Sequence, residues 1–194
     1  MNRTSATLTL FLLLGVTRIA SAQAPATASV AAEADVLAYA LPGYSGILSM
    51  TFPNKLQVAF GVGRYEVPSF LVSGDEHYDA AQWDATVTSL QVARVTYRFR
   101  GAMKSGPAVG AVMLSQNWDM RSAPLTGDTR FRTFSVGVTA GYYVHLGPRF
   151  YVYPTAALTR NTVASGSTAI AGRAYTVERI APNMSLHAGW EWGR

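Results

Sequence analysis

The sequence predicts an all-β chain: a single antiparallel up-and-down transmembrane β-barrel of about eight strands, with a short N-terminal helix as an option. Three observations predict it. The 194 residues are 49% hydrophobic and only 14% charged, against about 25% charged in an average soluble domain. No stretch reaches the roughly 18 consecutive apolar residues of a membrane-spanning helix. Apolar and small polar residues instead alternate with period two along most of the chain, which places them on opposite faces of strands. With 17 Gly but no Gly-X-Y period the chain is not collagen. With no Cys it has neither disulfides nor a thiolate site.

Residues 1–22 read as a secretory signal peptide. Arg3 gives the basic start, Leu8 to Val16 the apolar centre, and Ala20-Ser21-Ala22 the small-x-small cleavage site before Gln23. Its removal takes away Arg3 and Arg18, so the net charge falls from +5 to +3. That is too mild for a nucleic-acid partner, and no basic run suggests one. Residues 23–43 form an N-terminal segment. Residues 23–29 read as disordered, and 30–41 as a short helix or an extra strand before Pro42-Gly43.

The barrel domain is expected over 44–194. Its first two strands, 44–52 and 56–62, flank the Pro53-Asn54 turn, and Leu56, Val58, Phe60 and Val62 share a column. In 87–100 the apolar phase slips between Val92 and Val95, which suggests a bulge near Ala93–Arg94. A less regular run follows at 108–118. Residues 133–146 are the clearest strand, with Phe134, Val136, Val138, Ala140, Tyr142, Val144 and Leu146 opposite Thr133, Ser135, Gly137, Thr139, Gly141, Tyr143 and His145. The run 150–159 follows Gly147-Pro148, and its Pro154 suggests a bulge or strand end. The last two are 173–180, carried by Tyr175 and Val177, and 184–192.

The small polar column carries few Lys or Glu, whereas a soluble barrel's outer face should be charged. The apolar column therefore faces lipid and the polar column the lumen. Tyr65, Tyr97, Phe99, Trp118, Tyr142, Phe150, Trp190 and Trp192 lie near strand ends and read as interfacial girdles.

The signal peptide, the meander over 44–192 and the final strand Met184–Trp192 resemble the small eight-stranded outer-membrane barrels of Gram-negative bacteria, the OmpA/OmpX-like superfamily. The resemblance implies an outer-membrane, porin-like fold, and contact with outer-membrane lipid and lipopolysaccharide by a monomer. Members usually end on an aromatic residue, whereas Gly193-Arg194 follow Trp192 here. If both termini lie in the periplasm, strands counted from 44 put the short connections outside, the reverse of the usual arrangement.

Candidate chemistry is sparse. Arg64, Arg94 and Arg98 with Glu66, Glu178 and Glu191 are candidates for ion pairs in a plugged lumen, since buried charges need partners. Ser185, His187 and Glu191 share a strand face. Small outer-membrane barrels include lipid A acyl hydrolases and acyl transferases with a Ser and a His, which makes these three weak catalytic candidates. Along the strand, however, Ser185 lies about 7 Å from His187, and Glu191 about 13 Å beyond it, too far for a self-contained triad. Connection 68–86 carries Asp75, Glu76, His77, Asp79 and Asp84 without an EF-hand spacing. It reads as a solvated loop, and Tyr78 and Trp83 make it a surface for a partner or a lid. No metal or other cofactor is expected. The reading favours a non-enzymatic envelope or surface protein. The alternatives are a lipid A-modifying enzyme and a secreted soluble barrel binding an apolar ligand.

Overall fold

The structure is a computed structural model and describes residues 28–68, 83–122 and 127–193. The signal peptide, Gln23 and the acidic candidates Asp75, Glu76, His77 and Asp79, with Tyr78, lie outside these residues. In chain order the elements are β1 (Ser29–Asp35), α1 (Val36–Ala40), β2 (Gly43–Thr51), β3 (Leu56–Val67), β4 (Trp83–Arg98), β5 (Gly106–Ser122), β6 (Asp128–His145), β7 (Phe150–Gly166), β8 (Ala169–Ile170), β9 (Arg173–Ala174) and β10 (Ile180–Gly193). Strands β1 to β7 pair in sequence order, β7 pairs with β10, and β10 pairs with β1, so eight antiparallel strands close into a barrel. β8 and β9 form a separate two-stranded hairpin.

The strand count agrees with the sequence reading, but the first and seventh strands are corrected. The ambiguous N-terminal segment supplies both a strand, β1, and the turn of helix α1. Asp35 caps α1 by accepting from the Leu37 N–H at 3.1 Å. The helix ends at Leu41, which is extended as a residue before proline must be. Residues 173–180 are not a barrel strand. Tyr175 and Val177, which give that stretch its alternating look, pack instead on the Trp83–Phe131 cluster.

This exchange removes the orientation conflict. Residues 52–55, 99–105 and 146–149 now turn at the end that holds Ser29 and Gly193. The strand ends at Val67, Trp83, Ser122, Asp128, Gly166 and Ile180 lie at the opposite end, here called the loop end. Strands β4 to β7, of 16 to 18 residues, extend furthest towards it.

Two local expectations are also corrected. β4 is regular at Ala93–Arg94, and its extra residue lies at Thr88, where its registers with β3 and β5 both shift. Leu90 and Val92 therefore face the lumen, while Val95 and Tyr97 face outward. Pro154 lies mid-strand with no register shift. Its missing N–H instead coincides with an interruption of the β6–β7 ladder between Gly141–Thr155 and Val144–Val152.

The barrel is inverted relative to a soluble protein. Outward residues such as Leu48, Phe60 and Val138 are 63–66% exposed, while Ser49, Gln57, Thr96, Ser135 and Thr159 are buried inside. Glycines on the inner face make room for large neighbours. A Cβ on Gly189 would lie 2.4 Å from Cζ of Tyr151, and one on Gly141 would lie 2.6 Å from Cε2 of Tyr153.

Candidate functional site in the barrel lumen

The inward column of β4 ends Arg94, Thr96, Arg98, which sets two arginines four residues, about 13 Å, apart along the lumen wall. Each meets a glutamate from another strand.

Near the terminal end Arg98 donates to both Glu191 oxygens, Nη1 to Oε1 at 2.8 Å and Nη2 to Oε2 at 3.2 Å. Ser29 and the Met103 N–H also donate to Glu191, and His145 Nε2 lies 3.1 Å from it. Arg98 donates to Thr51 as well, at 3.1 Å. Both members of the pair are fully buried. The bidentate geometry and these added partners satisfy both Glu191 oxygens and the two terminal Arg98 nitrogens, while Arg98 Nε is left without a hydrogen bond.

One step further in, Arg94 Nη2 donates to Glu33 Oε2 at 2.8 Å. Ser49 donates to the other Glu33 oxygen at 2.8 Å. His187 stands beside this pair, its Nε2 3.4 Å from Arg94 Nη1. Tyr143 and Tyr153 stack with centroids 4.0 Å apart. Arg98 lies over the Tyr143 ring at 4.0 Å and Arg94 over Tyr153 at 5.0 Å, distances at which a cation is drawn to a ring face. Tyr143 donates to Gln57 at 2.6 Å. The two ionic layers and the tyrosines between them fill the terminal half of the lumen.

Of the candidate ion-pair residues, the structure places Arg94, Arg98 and Glu191 in the lumen. Arg64, Glu66 and Glu178 are not there. Arg64 and Glu66 fall on the exposed, outward phase of β3, the phase of Val58, Phe60 and Val62, which β3 keeps because the extra residue lies in β4 at Thr88. Glu178 is exposed in the connection before β10. Glu33, which completes the second layer, was hidden in the ambiguous segment 30–41, where only Val30 marks an outward apolar phase.

Ser185, His187 and Glu191 all point inward from β10, but they do not meet. Glu191 belongs to the Arg98 layer, His187 to the Arg94 layer, and Ser185 to a cavity above both. That cavity measures about 110 Å³ and has apolar walls from Ile47, Leu90, Val92, Val112 and Leu114.

Towards the loop end the inner faces of β4, β5 and β6 carry a dry cluster of Trp83, Ala85, Met120 and Phe131, capped by Ile170 of the β8–β9 hairpin. Trp118 stacks on Phe131 with centroids 6.0 Å apart and donates to Thr133 at 2.9 Å. Burial raises the phenol pKa of Tyr175, which packs here, above its ordinary value, and the Glu178 carboxylate adds to this. Trp83 is thus a buried anchor. Asp84, next to it, is exposed and opposite Arg121.

The predicted girdles divide in the same way. Tyr97, Phe99, Tyr142, Phe150, Trp190 and Trp192 are exposed around the terminal end, so they form one belt. Tyr65 and Trp118 turn inward; Tyr65 accepts from Gln116 at 2.8 Å.

No protein-family model and no curated relative matches the chain. Among solved structures it is similar to the N-terminal β-barrel domain of Pseudomonas aeruginosa OprF, with a TM-score of 0.50 and 14% identity over 88% of this chain and 100% of that one. It is also similar to Neisserial surface protein A, with a TM-score of 0.45 and 16% identity over 85% of this chain and 93% of that one. At such identity the OprF likeness establishes fold alone: the chain has the eight-stranded antiparallel barrel fold that its resemblance to the OmpA/OmpX-like superfamily implies.

Proposed function

We propose that the protein is an integral outer-membrane barrel with a sealed lumen, exported by its signal peptide, that serves envelope structure or surface interaction without catalysis. The observation that carries this reading is the inversion of the barrel. Large apolar side chains are exposed on its outside, while arginine, glutamate and tyrosine are buried within. Water would penalise so large an apolar surface, whereas lipid requires it. The belt of exposed aromatics at the terminal end sits where a membrane interface would hold it.

Towards the loop end the outer face turns polar. Arg64, Arg130, Arg132 and Arg160 are exposed there, with Asp84 and Asp119 nearby on β4 and β5. These arginines suit the phosphates of lipopolysaccharide, and connection 68–86 is the proposed surface for a protein partner.

A lipid A-modifying role is disfavoured by the inward, dispersed placement of Ser185, His187 and Glu191. A soluble barrel that binds an apolar ligand is disfavoured by the exposed apolar exterior. The test is refolding into detergent micelles and liposomes. The expected product floats with the liposomes and migrates differently on gels before and after boiling. A freely soluble monomer would overturn the reading.

A further inference from the structure

The barrel wall has a gap. β1 pairs with β10 only as far as Asp35–His187, and with β2 only as far as Glu33–Ile47. Beyond those points β10 continues through 180–186 and β2 through 43–46, each paired on its far side alone among the described residues. α1 occupies the space where β1 would have run on, and packs on β2, β3 and β10. Side chains replace the missing ladder. Asp35 accepts from the Leu186 N–H at 3.4 Å, Ser45 accepts from the Asp35 N–H at 2.6 Å, and Tyr39 donates to the Ser45 carbonyl at 2.9 Å.

The gap lies at the depth of the apolar band. On its flanks Val62 pairs with Gly46, Leu158 pairs with Pro182, and both Val62 and Leu158 are exposed. Met184, on the edge of the gap itself, is 79% exposed. Behind the gap lies the 110 Å³ cavity, whose lining includes Asp35 and Ala38 at the α1 end of β1, Ser45 on β2, and Asn183 and Ser185 on β10.

On the reading of the chain as a membrane barrel, we infer that this cavity is a binding site entered sideways from the bilayer past α1, and that it takes a small, uncharged, largely apolar molecule with one hydroxyl or carbonyl group. Size sets the scale: an apolar cavity of about 150 Å³ holds a benzene, so one of 110 Å³ suits a molecule of roughly four or five heavy atoms. Charge sets the class. The Arg94 cation is already matched by Glu33, and Asp35 at the gap repels anions. Asn183, Ser185 and His187 are among the polar residues that line the cavity, so one polar group on the ligand has partners within reach.

The chain has no cysteine, so Ala157→Cys on the cavity wall gives one reporter thiol in liposome-inserted protein. Neutral N-ethylmaleimide, which crosses bilayers, should label it. A charged trimethylammonium methanethiosulfonate should not, and isobutanol should slow the labelling. Asp35→Ala, which uncaps α1, should speed labelling roughly fivefold, the change expected for a cap worth about 1 kcal/mol. Tyr39→Phe should speed it too, and serves if the first variant fails to fold. Equal labelling by the charged reagent would make the entry aqueous and overturn the lateral route. No labelling by either reagent would show that nothing enters, and labelling indifferent to isobutanol would overturn the ligand class. Any of these results in a floating, heat-shifting barrel sinks this inference alone. A chain that neither floats nor shifts sinks the membrane reading beneath it.

Discussion

Arg98 and Glu191 form the most completely satisfied charge pair in the lumen, and their value depends on both being present. Removing the cation alone leaves a fully buried carboxylate with only neutral donors and His145 around it. Arg98→Met should therefore cost about 3–5 kcal/mol, read as the shift in the urea midpoint of the folded barrel. Arg98→Met with Glu191→Met should recover much of that loss, because no uncompensated charge remains. Arg64→Met, on the exposed outer face, should change stability by only about 0.5 kcal/mol or less. Arg98 and Glu191 were legible as inward residues because their strands keep phase to the terminal end. Arg64 and Glu66 continue the outward column of Val58, Phe60 and Val62, so their placement in the lumen set charge pairing above strand phase.

Elements with a strong outward column could be located from sequence, and those without one could not. β6 carries Phe134, Val136 and Val138 in one phase, so its facing was readable, although the strand begins at Asp128, five residues before the expected 133. β1 has Val30 as its one large outward residue and is otherwise small, so its strand character rests on partners far along the chain: Ser29 faces Gly193 and Asp35 faces His187. The stretch 173–180 carried the opposite illusion. Tyr175 and Val177 alternate because they cover the Trp83–Phe131 cluster, and local periodicity does not distinguish a packed connection from a strand. The facing of β6 is open to test. Val138 is 66% exposed within the apolar band, so Val138→Arg should cost about 2–4 kcal/mol in a bilayer. Thr162→Arg on β7, opposite Phe134 and nearer the loop end, should cost about 0–1 kcal/mol. Equal costs at the two sites would contradict a lipid band centred on Val138.

For the whole molecule the decisive property is that its fillings act in series. An eight-stranded barrel is just wide enough for side chains to fill it, and this one stacks the Glu191 layer, the tyrosines, the Glu33 layer and the dry loop-end cluster along a single axis. A solute moving along that axis must pass them all, so opening one leaves the rest shut. In planar bilayers the wild-type protein should give no stable conductance steps. Arg98→Ser with Glu191→Ser should also stay silent, because Arg94, Glu33, Tyr143 and Tyr153 still close the lumen. Adding Arg94→Ser, Glu33→Ser and Tyr143→Ser removes both ionic layers but leaves Tyr153 and the loop-end cluster in series, so a variant that still shows its heat-dependent gel shift should stay silent too. Steady conductance in the wild type would mean that the buried pairs line a pore, and the sealed-lumen reading would fall with it. The lateral gap is independent of this outcome, because it lies in the wall beside the cavity and above both ionic layers. A barrel closed along its axis can therefore still exchange a small apolar molecule with the surrounding lipid.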